Sequence, residues 1–490
     1  MSESEEDETS SFLSNENSLV DEYCATPTVN ESRQIGVLQM TCLTFFAVCS
    51  GPVGSEEAIA AVGPIGMTIF FVFPIFYCIP VMLLYAESSC AYPQNSKYTL
   101  NTTMPLCNTC LGGFVIWVRN SFGASVSFQV GYWRWISSVL NSSLFAILLL
   151  DLSLGKGSVS VVRFLLCTFI SVSVGVLNFS GLGSVGRSVT LLCVCAITPY
   201  IAMSLMWFVR LIFPQISLEA SSDIVIKSDR PFDWLRLLHV AFWDFNGWDS
   251  GASYAGKIID PSKTLPRSLS MALLLVTLVY SVPLAIGLLF RHSPPWQQWK
   301  EGTMLDIASA IGGKPLKVLV MSATWTHLLG MFVSEVFSNG CVVQGMAENG
   351  LLPKYLAGTD AAPPKMAIST HIAMIVCFTQ FVEFETLMHI NNSLSALPLL
   401  IEILAALRDR TRRKDDVIEG RIWKARFLSN HLFLLILVIP VMTLLTIIVS
   451  SLMQSNIQVQ LIVSGLMFSG LPMEKLVAYV SLLRNNNVKM

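Results

Sequence analysis

The stretch CSGPVGSEEAIAAVGP, Cys49 to Pro64, sets two glycines, a proline and two adjacent carboxylates inside an apolar run. Glycine admits backbone angles other residues avoid, and proline lacks an amide donor, so the helix expected over 36–65 breaks near Gly51–Gly54. A second interruption, WDFNGWDSG at Trp243–Gly251, falls five apolar segments later. Backbone groups freed at membrane depth are tolerated only where they line a cavity. Two such breaks at corresponding places in two halves point to an inverted-repeat carrier with its site between them.

Composition fits that reading. Of 490 residues, 53% are hydrophobic and 13% charged, with mean hydropathy +0.60, whereas soluble domains carry roughly 25% charged residues. Apolar runs of about 20 residues recur, which predicts an all-α polytopic membrane protein. Twelve spans are expected, at 36–65, 66–86, 122–150, 160–180, 188–213, 233–256, 268–290, 317–346, 366–384, 391–408, 427–450 and 456–483. Between the seventh and eighth, residues 291–315 read as an extracellular loop plus a short helix.

Residues 1–34 are polar and acidic, with no Lys or Arg before Arg33, and read as a disordered cytoplasmic tail. Residues 35–409 form the transport core, 410–426 a basic cytoplasmic loop, and 427–490 two accessory spans with a short cytoplasmic tail. The cluster from Arg408 to Arg426 dominates the Lys/Arg bias and places both termini inside. The twelve cysteines are scattered, mostly within apolar runs, and imply no disulfide framework. Cys107 and Cys110 make a lone CxxC without a second pair at zinc spacing.

Four stretches, SGPVGSEE, VGYWRWISSVLN, FWDFNGWDSGASYAGKIIDPSKTLPRSL and GMFVSEVFSNGCVVQGMAENGLLPKYL, carry a resemblance. In them the chain resembles the amino acid–polyamine–organocation superfamily, and within it the polyamine uptake transporters of plants and protists. The resemblance implies a LeuT-type 5+5 inverted repeat with helices 1 and 6 broken, and alternating access. It also implies uptake of organic cations coupled to protons or membrane potential. The chain departs from the family pattern in having Asp244 where relatives usually have Asn, and Phe145 where a Tyr is often linked with the site. Residues Ser96–Leu111 look like an insertion.

The residues themselves suggest how a cation is held. Amino-acid carriers use free amides in the first-span gap to grip a carboxylate; here Pro52 removes one donor, and Glu56 and Glu57 add negative charge. Gly51, Gly54 and Glu57 are therefore candidate substrate contacts. Ser55 capping the second half-helix, with both carboxylates complementing its positive end, would equally explain the pattern. In the sixth span, Asp244 and Asn246 stand between Trp243 and Trp248, and indoles beside a carboxylate suit an alkylammonium. Asp249 reads as a cap for the second half of that helix. In the third span Trp133 is preferred over Trp135, since the two face different directions. Glu335, mid-way along the eighth span, is either an interhelical hydrogen-bond partner or the carrier of a coupling proton. Glu87 and Glu402 read as gate or loop anchors.

A polyamine is charged at both ends and has no acid, so it needs separated acceptors with aromatic walls, which Glu57, Asp244, Glu335, Trp243 and Trp248 supply. The expected partners are a small organic cation, protons and the lipid bilayer, in the plasma membrane. No cofactor, metal or nucleic acid is expected, and no His/Cys/Ser constellation suggests an enzyme. Competing readings are an amino-acid permease and a non-transporting nutrient sensor.

Overall fold

The computed structural model describes residues 35–91, 113–155, 160–213, 231–356, 364–381, 384–412, 429–454 and 457–487. The acidic tail, the lone CxxC, the insertion and most of the basic loop lie outside these. The helices in chain order are α1 (Val37–Val48), α2 (Glu56–Val62), α3 (Ile69–Phe73), α4 (Ile79–Ala91), α5 (Gly113–Phe122) and α6 (Ala124–Leu154). They continue with α7 (Ser160–Phe179), α8 (Leu182–Ile212), α9 (Trp234–Asp244), α10 (Ser250–Ser253), α11 (Pro261–Leu289) and α12 (Thr303–Glu348). The last four are α13 (Lys365–Phe381), α14 (Phe384–Arg412), α15 (Asn430–Gln454) and α16 (Ile457–Asn487). Among the described residues the single β feature is a bridge between Ile35 and Ile258.

Among the described residues, helix falls within each segment expected from hydropathy. Eight helical segments are long and apolar enough to cross a membrane, and Val37–Val48 and Lys365–Thr379 are shorter apolar helices. Their outer faces carry exposed side chains such as Phe169 (69%) and Leu435 (66%), which water would penalise and lipid tails accept. This is a multi-pass membrane protein.

Both interruptions are real breaks. Helix α1 ends at Val48, Gly51 and Gly54 take φ of 83° and 108°, and α2 begins at Glu56. Helix α9 ends at Asp244, and after Gly247 (φ 113°) a four-residue helix, α10, resumes. The two gaps touch: a Cβ on Gly247 would lie 2.1 Å from the carbonyl oxygen of Ala47. Tyr280 of α11 joins them from the side. Its hydroxyl accepts from Ser50 N–H at 3.0 Å and donates to the Asp244 carbonyl at 3.1 Å. Part of the unwound backbone in both gaps is thus satisfied by one buried tyrosine, as membrane depth requires.

Gly247→Ala forces a methyl group onto that carbonyl at an angle L-residues resist, at a cost of about 1–3 kcal/mol. The expected result is a lower thermal unfolding midpoint in detergent and several-fold slower uptake, read by intrinsic fluorescence and by transport in liposomes.

Two further contacts close the ends of the broken spans. Ile35 N–H donates to Lys257 O at 3.1 Å and Ile259 N–H to Ile35 O at 3.0 Å, tying the start of α1 to the segment after α10. At the other end, α12 bends at Gly313 (φ 70°), so that its first ten residues, Thr303–Gly312, form a separate arm. This arm is the short helix expected between the seventh and eighth spans.

Candidate functional site

The gap in the sixth span opens on a cavity with about 70 Å³ of room for water, enough for several molecules. Its walls come from α6 (Arg134, Ser137, Ser138, Asn141), the α9–α10 break (Trp243, Asn246, Asp249), α12 (Glu335, Asn339) and α14 (Asn391, Ser395). Four helices distant in sequence thus meet where the broken span leaves space between them. Polar side chains dominate the lining, with Trp243 as its indole wall.

One cation and two carboxylates organise one side. Arg134 pairs with Asp249, and through Nε it reaches Glu402 Oε1 at 3.1 Å. Tyr85 donates to Glu402 Oε2 at 2.6 Å. Glu402 is fully buried and Arg134 nearly so, the latter lying over the Phe114 ring at 5.6 Å. The planar guanidinium suits this double role, since its fork serves two acceptors at once. Asp249 Oδ2 faces Arg134, while Asp249 Oδ1 is buried without a hydrogen-bond partner among the described residues. Glu335 faces the same cavity from α12.

Several sequence-predicted residues stand here, and several do not. Trp243, Asn246 and Glu335 line the cavity. Asn246 Oδ1 accepts from Gly247 N–H at 3.0 Å, bracing the break. Gly51 and Gly54 form the first-span gap, where Gly51 lies against the His327 ring and Gly54 against Trp243. Trp248 is 2% exposed and packs into the bundle outside the cavity lining. Trp133 points away, its indole N–H donating to Met467 O at 2.9 Å on α16.

The carboxylate pair of the first span faces the opposite way from the expectation. Glu57 is partly exposed and lies 3.4 Å from Arg236, an outer pair worth little. The inward member is Glu56, which is fully buried. It accepts from Gly54 N–H within the gap and from Met304 N–H at 3.0 Å, the second residue of the α12 arm. Ser55 makes no side-chain cap for α2, so the capping alternative gives way to a tether between gap and arm.

Asp244 is fully buried and neither carboxylate oxygen has a hydrogen-bond partner among the described residues, yet it is absent from the cavity lining. The three acids expected in one chamber therefore divide: Glu335 on the cavity, Asp244 sealed behind the break, Glu57 at the surface. Asp249, read from sequence as a helix cap, makes no cap hydrogen bond and pairs with Arg134 instead. Glu87 pairs with Arg410, in keeping with an anchoring role.

Sequence reasoning missed Arg134 and gave Asp249 a capping role instead of a place on the cavity. For Arg134 the signal was present: a lone arginine within the apolar run GYWRWISSVL is a functional hypothesis in its own right. Among the described residues no group of His, Cys, Asp or Glu could hold a metal ion.

Comparison with known proteins adds the family context. Residues 35–469 match the family model described as amino acid permease. The chain is 32% identical to polyamine transporter RMV1 of Arabidopsis thaliana, over 79% of this chain and 75% of that protein. It is 30% identical to polyamine transporter PUT1 of Oryza sativa subsp. japonica, over 82% of this chain and 72% of that one. It is also 22% identical to an uncharacterized transporter of Mycobacterium bovis, over 30% of each chain.

Proposed function

The chain belongs to the amino acid permease family, and from that premise we infer that it is a secondary carrier taking up polyamines such as putrescine or spermidine. The observation that carries the reading is the state of Arg134. Its charge is already matched by Asp249 and Glu402, so among the described residues the cavity offers no free cation for a substrate carboxylate. Asp249 keeps one oxygen open, and Glu335 stands on the same cavity. Counting Glu402 behind Arg134, three carboxylates face one guanidinium, and that formal excess of negative charge suits a dication.

In this account Asp249 and Glu335 receive the two ammonium ends of a diamine, and Trp243 walls the chain between them. Desolvated ammonium gains from an indole face and from charge-assisted hydrogen bonds. Ser138, Asn141 and Asn246 supply further acceptors. Relatives named for polyamine transport support the same substrate class.

The larger architecture follows the same reading. Twelve crossings in a 5+5 inverted repeat, with α1–α2 and α9–α10 as the broken first and sixth spans, give alternating access. The Lys/Arg bias puts both termini inside, and the plasma membrane is the expected location. Protons or membrane potential drive uptake. The Ile35–Ile258 bridge closes one end of the paired spans and the Glu56 tether the other.

Counterflow in proteoliposomes tests the substrate. Labelled putrescine should exchange against unlabelled putrescine or spermidine and not against arginine. Preference for arginine would remove the polyamine reading and leave an amino-acid permease; binding without any flux would favour a sensor.

A further inference from the structure

The carboxylate the cavity does not use is Asp244. It is the last residue of α9, it is fully buried, and both its oxygens lack a hydrogen-bond partner among the described residues. A buried anion without hydrogen bonds is costly. Its position adds to the cost, because the carbonyl end of a helix carries partial negative charge that opposes an anion. The charged groups around it also fail to help. Glu56 and, from further out, Glu57 of α2 add like-charge repulsion, and the remaining titratable neighbours are the Cys49 thiol and the Tyr280 hydroxyl. Ser55 of the first-span gap is the neutral group beside it. Among the described residues no arginine or lysine compensates it, in contrast to Asp249, Glu402 and Glu87, each of which has one.

The placement is as informative as the isolation. Trp243, Asn246 and Gly247 line the cavity while Asp244, between them in sequence, does not. A polyamine in the cavity has no path to it in this conformation. The occupant must be small enough to sit inside a sealed seam between two broken helices.

We propose that Asp244 is the site of the coupled ion, a single proton bound to its carboxyl oxygen where the first- and sixth-span gaps meet. In the conformation seen here the carboxyl is neutral and closed off. When the gaps separate and water enters, the O–H bond breaks, the proton passes to a water molecule, and the carboxylate is left solvated until it is reprotonated on the other side. The inference rests on the carrier reading of the cavity, but it assigns the driving ion rather than the substrate.

Two neutral variants test it, Asp244→Asn and Asp244→Ser, each purified and reconstituted beside the wild type. Substrate counterflow at equal pH should stay within about threefold of wild type, since a protonated, unpartnered carboxyl loses little when a neutral group replaces it. Accumulation driven by an imposed pH gradient should be lost, and the pH profile of uptake should flatten. Retained gradient-driven accumulation in either variant would overturn the assignment, and so would loss of counterflow in both. Failure of both variants to fold would overturn it too, because a neutral carboxyl without partners is not what holds the seam together. Arginine serves as the probe if the wild type prefers it. A wrong substrate then shows in which compound exchanges, and a wrong coupling site in whether a pH gradient concentrates it.

Discussion

Arg134→Met should destabilise the protein by about 3–5 kcal/mol, the usual cost of leaving buried charges without their partner. One guanidinium now serves carboxylates from two different helices: Asp249 at the sixth-span break and Glu402 on α14. Methionine keeps most of the stem volume and removes the charge, leaving both acids facing each other in a poorly hydrated interior. Tyr85 still donates to Glu402, but one neutral hydrogen bond does not replace an ion pair. The expected readout is a much lower yield of monodisperse protein and a lower unfolding midpoint. Arg134→Lys should recover only part, because a point charge cannot serve two acceptors as the planar fork does. Adding Asp249→Asn and Glu402→Gln to Arg134→Met should restore most of the stability, since the stranded charges are then gone, but not uptake. Unchanged stability of the single variant would show that the three groups are not one network.

Glu335→Gln should lower affinity for putrescine roughly 10- to 100-fold, the equivalent of losing one charge-assisted hydrogen bond worth about 1.5–3 kcal/mol. A monoamine of the same length, butylamine, makes only the Asp249 contact in this account, so its weaker affinity should change little. The preference for diamine over monoamine should therefore collapse. Glutamine preserves size and hydrogen bonding, and Glu335 stands on the cavity wall rather than in a packed interface. Inhibition constants of the two amines against labelled putrescine measure the effect. Equal losses for both amines would mean that Glu335 acts through protein structure and not on the second ammonium.

The breaks were legible in the sequence because their cause is local. Gly51, Gly54 and Gly247 adopt positive φ, and no neighbour is needed to foresee that a run containing them will unwind. That Trp243, Asn246 and Glu335 would lie near the breaks was legible for the same reason, since each sits at a break or mid-way along a span and all three line the cavity, although the sequence offered Glu335 chiefly for a proton rather than for substrate. What the sequence could not supply was direction. Glu56 and Glu57 are consecutive on a helix, so they point to different sides, and which one turns inward depends on Met304, 248 residues away. Asp249 precedes a short helical stretch and looks like a cap until Arg134, on another helix, claims it. Trp133 is apolar enough for a cavity wall, but α16 offers its indole a carbonyl and takes it out of play. In each case the deciding partner is remote in the chain.

The most direct measurement is an experimental structure with putrescine bound. Extended density should run along Trp243, with one end at Asp249 Oδ1 and the other at Glu335, while Arg134 keeps its contacts with Asp249 and Glu402. Density on Arg134 from a substrate carboxylate, or a diamine bound with both ends remote from Asp249 and Glu335, would contradict the account.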